Sequence, residues 1–156
     1  RRLARSWRVG SASLACCDAH RLPAAPGAHA DLPTLVLTTS AGPRDQWRLG
    51  DHVVQVRRYH ESTDSEVIRT WAILGRGFAY RQLWAVTRDV DEGRLVLVNA
   101  PEWSAPSPIH ALYHPNTFQP PRVRRFVEFL QVEMASRFPA SHASGFSAVH
   151  RKHPPA

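Results

Sequence analysis

The sequence predicts an α/β layer fold with a largely parallel sheet. Three observations carry that expectation. Short β-rich runs alternate with amphipathic helical runs through the middle of the chain. The clearest helical run, after Thr63, is bracketed by start and stop chemistry. Proline and glycine punctuate the junctions, and no internal repeat is present.

Taken in order, Val9 to Cys17 is a run of small residues that predicts a weak strand. Leu22 to Pro33 is rich in proline and alanine and predicts a loop with at most one short helical turn. Thr34 to Thr39 is β-rich and bounded by Pro33 and by Gly42-Pro43, the pattern of a buried strand. Trp47–Leu49 and Val53–Arg57 flank the turn pair Gly50-Asp51 and form a hairpin.

Thr63 stands three residues before Glu66, the spacing of a capping box. Val67, Ile68, Trp71 and Ala72 then share one helical face, and Gly75 sits where a helix stops in a left-handed residue. The helix is expected from about Asp64 to Leu74. Phe78 to Tyr80 follows as a strand, Leu83 to Asp91 as a second helix closed by Gly93, and Arg94 to Asn99 as a strand. Pro106 and Pro108 mark a crossing loop, and Ile109 to His114 predicts a further strand. Pro121 suits a first helical position, and Val123, Phe126, Val127, Leu130 and Met134 recur at helical spacing up to about Phe138. Pro139 to Ala156 is mostly Ala, Ser, His and Pro, a composition expected of a flexible tail.

The 156 residues suit one domain, and 43% hydrophobic with 21% charged residues excludes a wholly disordered or fibrous chain. The longest apolar runs, such as Leu95 to Val98, fall far short of the roughly 20 residues that span a bilayer. No signal-peptide pattern opens the sequence. Since it begins at Arg1, a piece of a longer chain is expected. Twenty Lys and Arg against 13 Asp and Glu give +7. That excess fits either codon usage in a GC-rich genome or a nucleic-acid surface. The arginines are scattered, with clusters such as Arg122, Arg124 and Arg125 but no block of five or six.

Several chemistries can be weighed residue by residue. Cys16 and Cys17 are adjacent, a poor geometry for a mutual disulfide, and no protease signature surrounds them; they fit reduced, buried thiols. His110 and His114 would lie roughly 13 Å apart on a strand, too far to share an ion. Gly75-Arg76-Gly77 follows a helix instead of opening one, so it fits a helix-to-strand turn and not a dinucleotide loop. Ser62, Thr63, Asp64 and Ser65 gather hydroxyls and free N–H groups at a helix start. That cluster fits capping alone or the docking of a small anion.

Glu66-Val-Ile-Arg-Thr-Trp-Ala-Ile-Leu-Gly-Arg-Gly-Phe-Ala79 resembles the Glu-Ala-Leu…Ala-Gly-Leu-Gly-Ile-Ala stretch of LysR-type transcriptional regulators. Leu83-Trp-Ala-Val86, Asp89-Val-Asp-Glu-Gly-Arg-Leu-Val96 and Pro101-Glu-Trp103 resemble the family's next three runs, in order and at similar spacing. Ile109 to Tyr113 and Arg122 to Leu130 are similar to its closing strand and final helix. The family's Asn-Asp-Gly is Thr63-Asp64-Ser65 here, its Lys-Ser or Leu-Pro pair is Arg81-Gln82, and Cys17 to His20 stands roughly where its Ala-Ser-Pro-x-Tyr-Leu run would be.

The resemblance implies an effector-binding domain of the type 2 periplasmic-binding-protein kind over residues 1–138. It would comprise mostly one complete lobe, about 14–103, plus a return of the other lobe over 104–138, with the tail at 139–156. Truncation at the N-terminus would remove the helix-turn-helix and the opening of the first lobe, so DNA would be reached only through a part absent here. The implied role is sensing a small, anionic metabolite to control transcription. It is non-enzymatic and cytoplasmic, with a homo-oligomer as the assembly and no cofactor, metal or membrane. Because ligands lie at strand ends and helix starts in such sheets, the expected effector-facing residues are Thr38, Thr39, Thr63, Ser65 and Phe78. A truncated remnant acting only in dimerisation or interaction, and a basic nucleic-acid binder, are the competing expectations.

Overall fold

A computed structural model of the chain describes residues 1–20, 22, 25–98, 103–113 and 120–137. Its strands are β1 (Arg2–Ala4), β2 (Trp7–Ala12), β3 (Thr34–Thr39), β4 (Gly42–Pro43), β5 (Gln46–Leu49), β6 (His52–Gln55), β7 (Arg58–Ser62), β8 (Phe78–Gln82), β9 (Val96–Leu97), β10 (Ala105–Pro106) and β11 (Ile109–His110). The helices are α1 (Leu14–Ala19), α2 (Ser65–Ile73), α3 (Leu83–Asp91) and α4 (Pro121–Arg137), with a 3-10 helix at Pro26–Asp31.

The main sheet is mixed. β3 runs parallel to β7 on one side and to β8 on the other. β2 then pairs antiparallel with β8, and β9 and β10 pair antiparallel with β2. The expected parallel character is therefore confined to β7, β3 and β8. The α2 crossover joins β7 to β8, and such crossovers make strands parallel.

Alternation along each strand divides the core between the two faces of this sheet. Leu35 and Ala79 point to the face covered by α2 and α3, where they meet Ile68, Ala72, Leu83, Val86 and Leu95. Val36 and Phe78 point to the other, where Cys16 of α1, Leu32, and Trp47, Leu49 and Val54 of the β5–β6 hairpin cover them. The hairpin forms as its turn pair predicts, and Gly50 takes φ 61° there.

The residues from Val9 to Cys17 do not make one strand. β2 stops at Ala12, and the Ser13 hydroxyl accepts a hydrogen bond from the Cys16 amide to start α1. Serine's ability to cap redirects the run of small residues into a helix. Both cysteines are free, Cys16 buried and Cys17 partly so. Burial pushes the Cys17 thiol up to about 12, with the neighbouring Cys16 and Asp18 adding to the rise.

Helix α2 starts one residue later than its capping box implies. Asp64, not Thr63, is the N-cap, and its carboxylate accepts from the Glu66 amide at 2.7 Å. The carboxylate reaches an N–H two residues on, and its charge suits the positive helix end. Gly75 takes φ 73° after the helix. At Gly77 a Cβ would lie 2.3 Å from the Pro33 carbonyl oxygen, which accepts from the Phe78 amide. Only glycine lets β8 enter the sheet this closely.

A second, smaller unit pairs β1 antiparallel with β11 and packs α4 against β1. The Gln131 side chain donates to the Arg2 carbonyl at 3.0 Å. Among the described side chains of α4 only Val127 is buried, whereas Phe126, Phe129 and Val132 are exposed. The chain passes between the two units twice, at residues 5–6 and 107–108, and the Ser107 amide donates to the Ser6 carbonyl at 2.8 Å. The strands expected over 94–99 and 109–114 are shorter, Val96–Leu97 and Ile109–His110; Asn99, His114 and the tail over 139–156 lie outside the described residues.

Candidate functional site

The carboxyl ends of β3, β7 and β8 and the start of the antiparallel β2 all lie at one end of the main sheet. Helix α2 begins there, directly after β7. A cavity of about 130 Å³ opens at this end. Leu35 and Leu37 of β3, Ile68 of α2, Trp84 and Ala85 of α3, and the stacked Trp47 and Tyr80 rings (5.2 Å between centroids) form its apolar walls. Its polar groups are Arg8, Arg44, Ser65, Arg81 and Gln82. A wider depression of about 470 Å³ lies alongside, shares Arg8 and Arg44, and adds Thr39, Gly42 and Asp45.

Positive charge dominates the smaller cavity. Arg81 follows Tyr80 on β8 and is largely enclosed, with 12% of its side chain exposed. One terminal nitrogen, Nη2, donates to the Ser65 hydroxyl at 2.8 Å and lies 3.9 Å from Glu66. The other, Nη1, is buried and has no hydrogen-bond partner. Burial lowers the pKa of Arg81; Glu66 and Asp89 oppose that shift and Arg69 adds to it. Burial also lowers the pKa of Arg8, Arg44 pushes it further the same way, and Tyr80 opposes. Both guanidinium groups are thus held in surroundings that disfavour their charge. The Tyr80 hydroxyl donates to the Arg48 carbonyl, and burial raises its pKa to about 12, so it stays a neutral donor.

Of the residues expected to face the effector, Ser65 lines the cavity and holds Arg81. Thr39 lines the neighbouring depression, where its hydroxyl donates to the Gly42 carbonyl at 3.1 Å. Thr38 donates to Glu61 at 3.4 Å. Thr63 is exposed just before the α2 cap. Phe78 is fully buried under α1 and the hairpin, on the opposite face of the sheet from α2. The arginines went unrecognised in the sequence, because scattered arginines carry no pattern. Arg81-Gln82 was the one available signal, a polar pair where the resembling family carries a different one.

A mixed sheet with crossover helices, joined by two side-by-side passages to a second unit and bearing a polar cavity at its carboxyl end, defines a periplasmic-binding-protein-like regulatory domain. The model of the LysR substrate binding domain matches residues 5–135, and this chain belongs to that family. Its relatives are transcriptional regulators. It is 31% identical over 143 residues to the HTH-type transcriptional regulator DmlR of Escherichia coli (strain K12), covering 89% of this chain and 46% of that one. It is 32% identical over 88 residues to the HTH-type transcriptional activator TtdR of the same strain, covering 54% and 28%. The chain therefore spans less than half the length of these relatives.

Among solved structures, the regulatory domain of CrgA, a LysR-type regulator from Neisseria meningitidis, superposes with a TM-score of 0.70 at 23% identity, covering 85% of this chain and 67% of that one. Full-length AphB, a virulence activator of Vibrio cholerae, gives 0.63 at 22% identity, covering 85% and 46%. At these identities the likeness bears on the fold. Among the described residues no helix is long and apolar enough to cross a membrane.

Proposed function

We propose that this chain is the effector-sensing part of a cytoplasmic LysR-type regulator and that its effector is a small anion seated on Arg8, Arg44 and Arg81. The observation that carries the reading is that three guanidinium groups, of Arg8, Arg44 and Arg81, line one cavity, with the Nη1 of Arg81 buried and unpartnered. An unsatisfied buried donor costs roughly 1–3 kcal/mol, more when charged. A carboxylate or oxyanion would satisfy it and relieve the repulsion between Arg8 and Arg44. The Ser65 hydroxyl is a further contact for such a ligand, and Thr39 lines the adjoining depression. The role we read for this cavity is recognition of that anion. Contact with DNA would be made by a helix-turn-helix elsewhere in the whole regulator, working as a homo-oligomer.

The test is calorimetric titration of the purified chain with sulfate, phosphate, acetate, succinate and citrate, against chloride at equal ionic strength. At least one anion should bind saturably. Wild-type protein that takes up none of them would refute the reading.

A further inference from the structure

Gln82 lines the cationic cavity and also ends β8, at the N-cap position of α3. A residue at this position commonly turns its side chain back to accept from the first free N–H groups of its helix. Gln82 makes no such bond. Its amide nitrogen donates to the Ser107 hydroxyl at 2.8 Å, and its amide oxygen accepts from the Ser6 hydroxyl at 3.5 Å. Ser6 and Ser107 each lie in one of the two passages between the main sheet and the β1–β11–α4 unit. One side chain thus clasps both passages at the point where their backbones are already bonded to each other.

The neighbours of Gln82 tie this clasp to the cavity. Arg81 precedes it on β8, and Arg8 is its cross-strand partner on β2. Arg8 pairs on its other side with Ala105 of β10, the strand that leads into Ser107. A ligand that draws Arg81 and Arg8 together acts on the residue before Gln82 and on the residue opposite it.

We propose that Gln82 is a positioning residue that transmits occupancy of the cationic cavity to the two crossing segments, and through them to the β1–β11–α4 unit. This rests on the anion-binding reading above. Binding fixes Arg81 and Arg8, the end of β8 stiffens, and the Gln82 amide holds Ser6 and Ser107 in one register. Ser107 touches the clasp without lining the cavity, so it separates coupling from binding.

The experiment measures amide hydrogen exchange across residues 5–8 and 104–110 in the full 156-residue chain, with and without sulfate, in wild type, Ser107→Ala and Gln82→Leu. Circular dichroism checks folding, and calorimetry gives sulfate affinity on the same samples. Wild type should exchange more slowly in both segments when sulfate is bound. Ser107→Ala should bind sulfate within about twofold of wild type yet lose most of that slowing, exchanging about two- to tenfold faster, the factor a net hydrogen bond is worth. Gln82→Leu should lose the slowing too.

Sulfate-dependent slowing in Ser107→Ala equal to wild type would overturn the coupling. So would wild-type protein that binds sulfate without any change in the crossing segments, and the effector reading would then survive alone. If wild type binds neither sulfate nor any other anion of the titration panel, the effector reading fails and the coupling falls with it.

Discussion

Arg69 of α2 grips Asp89 of α3 with two hydrogen bonds of 2.6 Å, Nε to one carboxylate oxygen and Nη2 to the other. Asp89 is 1% exposed, and Arg94 closes the cluster with two more bonds to the same carboxylate. The pair fixes the two helices on one face of the sheet. Through Glu66, which lies 3.4 Å from Arg69 and 3.9 Å from Arg81, it adjoins the cavity.

Replacing Asp89 by Asn removes the buried charge that Arg69 and Arg94 share and leaves these two guanidinium groups only the more exposed Glu66 and Glu92. Loss of one partner of a buried pair costs about 3 kcal/mol. Urea unfolding should show that loss as a lower midpoint at unchanged slope. Burial by itself would raise the Asp89 pKa, but the hydrogen bonds and charges of Arg69 and Arg94 outweigh it and hold the carboxyl below its ordinary value. Its contribution to stability is therefore present above pH 3.8 and lost as the pH falls below that.

Arg81→Leu should separate binding from stability. Anion affinity should drop about tenfold or more, the worth of a charged hydrogen bond. The melting temperature without ligand should hold or rise, because the substitution removes a buried unpartnered nitrogen. Arg88→Leu, on the exposed side of α3 (side chain 86% exposed), should leave anion affinity unchanged. Equal affinities in all three proteins would remove Arg81 from the site.

His29 is fully buried, edge-on to Trp103 at 5.5 Å and Trp47 at 6.4 Å. Its Nδ1 lies 3.0 Å from the Pro26 carbonyl, and its Nε2 has no partner. Burial lowers its pKa from 6.5, against an opposing pull from the Pro26 and Ala25 carbonyls. The unfolded chain then binds the proton more readily than the folded one. Stability is full above pH 6.5 and falls as the pH drops through the window below it, by at most about 1.4 kcal/mol per pH unit. Denaturation midpoints of wild type and His29→Gln across that window should show the slope in the first and a shallower one in the second.

Gly77→Ala should be among the most damaging single changes. The new methyl would meet the Pro33 carbonyl, and the residue sits at φ 155°. A cost of about 3 kcal/mol or more is expected. Calorimetric unfolding checks it; Gly27→Ala, with open space around the new carbon, is the comparison.

Most of the main sheet and its helices was legible because local chemistry and tertiary packing agree there. Thr34 to Thr39 forms β3 and Leu83 to Asp91 forms α3 as their patterns predict. The edge strand β7 was missed, since Arg58, Tyr59, His60 and Glu61 are exposed and carry no hydrophobic alternation. Ser13 turned an expected strand into α1, a cap hidden within a run of small residues. On α4 the periodicity was legible, but it did not foretell that Phe126 would stay exposed.

The sequence alone determined the alternation of elements, the approximate extent of the helix between Thr63 and Gly75, and the ordered runs that resemble one family. These are properties of neighbouring residues, and neighbours can be read in line. Only the tertiary structure decided which arginines meet. Arg8, Arg44 and Arg81 come from different strands and loops and share a cavity because β2 runs opposite to β3 and β8. The same antiparallel step sets Gln82 beside Ser6 and Ser107, residues separated from it by 76 and 25 positions. Charge and hydrogen bonding act through space, so contacts of such long sequence separation exist only once the sheet has closed.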